Sequence, residues 1–129
     1  MTNIPPGYSS VFPYFFASNA EDFCAFLVTG LGGEEIGRTM AGSRIANARV
    51  RLGTTTVMVS EATNDWPAMP ASYYIYVADA DTAQQRALAA GATEIMPVAD
   101  QPYGDRQGGV RDAWGNLWWI SQHLGEGYD

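Results

Sequence analysis

Leu31-Gly32-Gly33-Glu34-Glu35-Ile36 returns 59 residues later as Ala90-Gly91-Ala92-Thr93-Glu94-Ile95. Both stretches read as a helix end, a glycine stop and the start of a strand. Further on, Arg49 to Gly53 is matched by Arg111 to Gly115, now 62 residues apart. A repeat on this scale marks a supersecondary unit used twice. The three-residue difference in spacing is the mark of one longer loop in the second copy.

Working outward from the repeat gives the elements. Residues 10–17, Ser-Val-Phe-Pro-Tyr-Phe-Phe-Ala, are aromatic and short, and read as a strand. Pro13 gives that strand an edge or a bulge. Ser18 or Asn19 is expected to cap a helix whose stripe is Ala20, Phe23, Phe26 and Leu27, with Glu21 and Asp22 in its first turn. Strands are expected at 34–39, 45–52 and 54–60, and Asn64-Asp65-Trp66-Pro67 with Pro70 marks residues 61–71 as a connecting loop. A second set follows. Residues 72–77 form a strand, Asp79 caps a helix that Gly91 stops, and strands are expected at 93–98, 107–112 and 117–122. The order is β-α-β-β-β twice, an α+β chain. Residues 1–129 read as a single domain, with module one at about 10–61, a linker at 62–71 and module two at 72–123.

Composition narrows the function classes. Seven basic against fourteen acidic residues give a net charge of −7, a poor match for nucleic acid or anionic lipid. No apolar run approaches a membrane span. The N-terminus has neither the basic nor the apolar region of a secretion signal. Cys24 is the only cysteine and sits in an apolar stretch, so no internal disulfide is expected. A cytoplasmic location follows as the expectation.

Strand alternation predicts which side chains share a face. Phe12, Tyr14 and Phe16 form one set, Ser72, Tyr74 and Tyr76 a second, and Trp119, Ser121 and His123 a third. Ala48, Val50 and Leu52 take the apolar parity of their strand and leave Arg49 and Arg51 on the other. Arginine can grip a carboxylate through two parallel hydrogen bonds, and Arg49, Arg51 and Arg106 stand out in an acidic chain without lysine. Tyr103 and Trp66 lie in loops that could close over a ligand or meet a second chain. Such a set suits a small aromatic or amphipathic molecule. Each aromatic has a plainer reading as core, and each arginine as a solvated face. The chain shows no Gly-x-Ser-x-Gly elbow, and its paired glycines lack the context of a phosphate cradle.

The segment Tyr103-Gly104-Asp105-Arg106-Gln107-Gly108-Gly109-Val110-Arg111-Asp112-Ala113-Trp114-Gly115-Asn116-Leu117-Trp118-Trp119-Ile120 resembles the second-module ending of the vicinal oxygen chelate superfamily. The likeness is to its glyoxalase/bleomycin resistance group, PhnB-like members above all. Ala113 stands where that group carries proline. The resemblance implies the glyoxalase/bleomycin resistance/dihydroxybiphenyl dioxygenase fold, two βαβββ modules forming a curled mixed-sheet cup. It also implies a homodimer.

Catalytic members of that superfamily hold a divalent metal through both modules. The resemblance carries those positions onto Phe12 (or Pro13), Val57, Ser72 and Trp119, and none is a good ligand. Shifting by one residue gives Tyr14, Met58, Tyr73 and Trp118 or Ile120, which fare no better. Glu61 and His123 are 62 residues apart near two strand ends, and support an alternative: a metal-dependent lyase or dioxygenase. The principal expectation is a ligand held without cofactor or metal by Tyr14, Phe16, Arg49, Arg51, Tyr74, Tyr76, Tyr103, Arg106, Trp119 and His123.

Overall fold

Each half of the computed structural model, which describes residues 3–125, is a four-stranded mixed sheet with one helix packed on it. The chain divides into two compact units, one up to Met69 and one from Pro70.

In the first unit β1 (Tyr14–Ala17) leads into α1 (Ala20–Thr29), followed by β2 (Glu34–Ala41), β3 (Arg44–Leu52) and β4 (Thr55–Glu61). The strand order is β1-β4-β3-β2, with β1 parallel to β4 and the rest antiparallel. The second unit repeats this with β5 (Ser72–Tyr76), α2 (Ala80–Ala89), β6 (Thr93–Asp100), β7 (Asp105–Arg111) and β8 (Leu117–His123), in the order β5-β8-β7-β6. The α+β reading and the doubled βαβββ order both hold.

The helix of each unit decides the parity of its strands. In the first, Phe23, Cys24, Phe26 and Leu27 bury against Phe15, Ala48, Val50, Val57 and Val59. Phe15 and Phe23 have ring centroids 4.9 Å apart. In the second, Ala80, Gln84 and Ala87 are the buried helix residues, and Val110, Trp118 and Ile120 the buried strand residues. Gly108 is bare because Gln84 sits on it: a Cβ there would lie 2.2 Å from Gln84 Oε1. Cys24 is buried, and its thiol is pushed up to about 11, chiefly by burial.

Three expectations change. Residues 10–13 are not strand; β1 starts after Pro13, whose ring leaves no N–H for the ladder. Asn19 stands at the helix start but in the left-handed region, φ 61°, and makes no side-chain cap. Val57 lies on the helix-covered face, and its neighbour Met58 faces the other way, paired with Tyr14.

The second-module motif is architectural. Asp112 is buried and accepts from Trp114 N (2.9 Å), Asn116 N (2.9 Å), Asn116 Nδ2 (3.0 Å) and Trp118 Nε1 (2.8 Å). Asn116 Oδ1 in turn accepts from Ala71 N at 3.0 Å, and Gly115 takes the positive φ (90°) the loop requires. The motif therefore ties the β7–β8 loop to the residue just ahead of β5.

Candidate functional site

The strand pairings fix how the modules correspond. Tyr14 pairs with Met58 and Phe16 with Ser60; Tyr74 pairs with Trp119 and Tyr76 with Ser121. Tyr14 and Phe16 thus match Tyr74 and Tyr76, and Ser60 matches Ser121. The helix caps agree. Glu61 accepts from Asn19 N (3.0 Å) and Ala20 N (2.8 Å), and Gln122 accepts from Ala80 N (3.0 Å). Glu61 therefore corresponds to Gln122, and His123 to Ala62. Spacing alone had paired Glu61 with His123.

That shift of one residue separates the two candidate metal ligands. Glu61 points to the helix side of its sheet with both oxygens on backbone amides, replacing the cap that Asn19 cannot supply. His123 lies on the opposite parity, its Nδ1 3.1 Å from Asp105 Oδ1. Met58 and Trp119 fill the matching last-strand positions. This donor set does not fit a divalent cation, which needs three or four converging N, O or S donors. Among the described residues no three of His, Cys, Asp and Glu form such a group.

On the face of the first sheet away from α1 lies a pocket of about 170 Å³ whose lining includes Tyr14, Phe16, Arg44, Ile45, Ser60 and Trp66. Ser60 Oγ donates to Ala46 O at 2.7 Å, so the 2.8 Å contact between Tyr14 and Ser60 is donated by the phenol. Phe16 and Trp66 are nearly parallel, 20° between planes, with centroids 6.3 Å apart. Trp66 is 63% exposed, yet its backbone is held by Thr63 through Trp66 N to Oγ1 (3.0 Å) and Thr63 N to Trp66 O (2.9 Å). Arg49 and Arg51 share this face. Arg49 Nη1 bonds Asn47 O (3.2 Å) and Oδ1 (3.0 Å), and Arg51 is exposed near Gly7.

The corresponding face of the second sheet carries hydrogen-bonded polar groups, one centred on Asp105 and another on Gln107. Tyr74 and Tyr76 hydroxyls donate to Asp105 Oδ2 at 2.5 and 3.0 Å. Tyr103 bonds Gln107 Oε1, Gln107 Nε2 donates to Ser121 Oγ (2.7 Å), and Trp119 Nε1 donates to Ser72 Oγ (2.8 Å). The Tyr103 phenol is raised above its ordinary value by lost hydration, then by Tyr74 and Asp105. Trp119 lies over Gly109, where a Cβ would stand 2.9 Å from the indole.

Sequence reading thus finds Tyr74, Tyr76, Tyr103, Trp119 and His123 together, and Tyr14 and Phe16 together. Arg106 stands apart from both groups. It pairs with Gln122 on the helix side, and its guanidinium is taken by Asp81 (2.7 and 3.1 Å) and Asp100 (2.9 Å), which raise its pKa. Asp105, the centre of the first of those polar groups, was missed. Its signal was parity: it alternates with Gln107 and Gly109 and stands opposite His123.

Comparison with known proteins agrees with this architecture. The family model described as Glyoxalase/Bleomycin resistance protein/Dioxygenase superfamily matches residues 11–120. An uncharacterised protein of Mycobacterium bovis is 30% identical, over 96% of this chain and 88% of its own length. The crystal structure of TioX from Micromonospora sp. ML1 is similar at a TM-score of 0.74 and 26% identity, covering 88% of this chain and 95% of that one. TnmS3, described as an antibiotic binding protein from a Streptomyces species, shares the fold at a TM-score of 0.69 and 16% identity, over 90% of this chain and 99% of its own.

Proposed function

Since this chain belongs to the Glyoxalase/Bleomycin resistance protein/Dioxygenase superfamily, we propose that it binds a small planar aromatic or amphipathic molecule without a metal. The observation that carries this reading is the Phe16–Trp66 pair beside the module-one pocket. The two rings lie 20° from parallel with centroids 6.3 Å apart, so each offers a face on which a flat molecule can stack. The pocket, at about 170 Å³, is close to a cavity known to accept benzene, roughly 150 Å³. Arg44 at its lining offers a partner for an acidic substituent, and Tyr14 offers an acceptor oxygen. Arg49 and Arg51 extend the proposed contacts on the module-one face, and Tyr74, Tyr76, Tyr103, Trp119 and His123 are proposed ligand contacts on the matching face of module two; Arg106 is left out because carboxylates already hold it. The antibiotic-binding description of TnmS3 supports a binding role through shared fold alone. Homodimerisation and a cytoplasmic location belong to the same proposal, the first from the family resemblance, the second from the composition.

Titration with 2-naphthoate, followed by tryptophan fluorescence, tests it. Saturable quenching is expected, unchanged by EDTA. Trp66→Ala is expected to weaken it about tenfold, equivalent to roughly 1.4 kcal/mol. Quenching that needs added metal, or equal affinity in the variant, would refute the reading.

A further inference from the structure

We propose that the face of module one away from α1 carries an anion site in which Arg49 and Arg51 take a phosphate group. It rests on the reading above only in treating both arginines as ligand contacts, and not on the Phe16–Trp66 pair.

The chain uses its arginines in two ways. On the helix sides of the sheets, Arg38 is taken by Glu21 and Glu35, and Arg106 by Asp81 and Asp100. Those guanidiniums are neutralised in place. Arg49 and Arg51 stand on the opposite face of their sheet, two residues apart on β3 and so about 6.6 Å apart along it. Among the described residues neither is ion-paired with a carboxylate. Glu34 is the register partner of Arg51 on β2, yet it forms no ion pair with it. In module two the residue matching Arg49 is Gly109, beneath the Trp119 indole. The same sheet position therefore packs without a cation, and the arginine is an addition to the scaffold.

Glycines make room for both side chains. Gly37 pairs with Arg49 across β2 and β3, and a Cβ there would stand 2.8 Å from Arg49 Nη2. The guanidinium therefore lies across bare backbone. Its Nη1 donates to Asn47 O at 3.2 Å and Asn47 Oδ1 at 3.0 Å, which holds its plane. Nε and Nη2 donate to nothing among the described residues, and neither is sealed from solvent. That edge is the pair of parallel donors with which arginine grips an oxyanion. Arg51 Nη1 lies against Gly7 in the same manner, 3.0 Å from where a Cβ would be. A carboxylate brings two oxygens, which the Arg49 edge alone takes up. A phosphate monoester brings three acceptor oxygens and about −1.5 to −2 charges at neutral pH, so an oxygen remains for Arg51. The charge matches two guanidiniums.

Calorimetric titration of the intact protein with inorganic phosphate, at an ionic strength held constant with sodium chloride, tests this. Saturable one-to-one binding is expected. Arg49→Gln is expected to weaken it at least about tenfold, through loss of charge-assisted hydrogen bonds. Gly37→Ala keeps both arginines and asks only the end of the Arg49 side chain to move; it is expected to weaken binding about threefold. Phenyl phosphate separates the two sources of the group. Tighter binding than inorganic phosphate would mark a phosphate ester, and equal binding the free anion; either upholds the site. Phosphate has no ring to stack, so failure of the 2-naphthoate titration and failure of this one are separate results. Absence of saturable phosphate binding, or an affinity unchanged in Arg49→Gln or in Gly37→Ala, would overturn the proposal whether or not 2-naphthoate binds.

Discussion

Module one and module two differ most where their sheets turn away from the helix. Ile45 and Ala62 in the first correspond to Asp105 and His123 in the second; Arg49 beside Met58 corresponds to Gly109 beneath Trp119. On the helix side the contrast is smaller in kind. Ala48 lies at the position of Gly108, and Cys24 at that of Gln84, so a larger helix residue meets a smaller strand residue. The lesson is that the helix-covered face is limited by volume, while the opposite face can exchange an apolar pair for a hydrogen-bonded one. One backbone then supports a pocket lined by aromatic rings in one copy and hydrogen-bonded polar groups in the other.

The hairpins offer the largest way to break this comparison. Module one turns from β3 to β4 through Gly53-Thr54 alone, whereas module two uses the five residues 112–116 around Asp112. Asp112→Ala strips four donors of their acceptor. It is expected to destabilise the protein by about 3–5 kcal/mol in urea unfolding followed by circular dichroism. A loss below about 1 kcal/mol would mean that water replaces the carboxylate.

A smaller effect separates the helix caps. α1 depends on the distant Glu61, whereas α2 has both Gln122 and the local Asp79, which accepts from Thr82 N at 3.2 Å. Glu61→Ala is expected to cost about 1–2 kcal/mol, and Gln122→Ala about half as much. Equal losses in thermal melts would show that the two caps are interchangeable.

The smallest effect is a matter of pH. Arg38 holds Glu21 below its ordinary value of 4.5 through hydrogen bonding, and Arg106 does the same to Asp81, ordinarily 3.8. A carboxylate lowered in the folded state contributes stability above its ordinary pKa and loses it as pH falls through the lower folded value. Both groups are exposed, so the contribution is small and screened by salt. Glu21→Gln and Asp81→Asn should each slightly flatten the fall of melting temperature with acid, and equally in both modules.

Much of this was legible in the sequence for a local reason. Glycine stops, the aromatic run at 72–77 and the helical stripe at 20–27 are short-range signals, and they place nearly every element. Face assignment also followed, since alternation put Arg49 and Arg51 opposite the buried Ala48 and Val50. Asn19 shows where local signals stop: its residue type suits a cap, but its left-handed backbone gives that role to Glu61, 42 residues away.

By itself the sequence determined the doubled βαβββ order, the acidic and lysine-free character, and the aromatic identity of the faces, because periodicity and composition are properties of neighbours along the chain. Tertiary structure alone decided that Glu61 corresponds to Gln122, that Arg106 is taken by two aspartates, and that Asp105 gathers Tyr74, Tyr76 and His123. Those outcomes turn on strand register, and a one-residue change in register carries a side chain to the opposite face of the sheet.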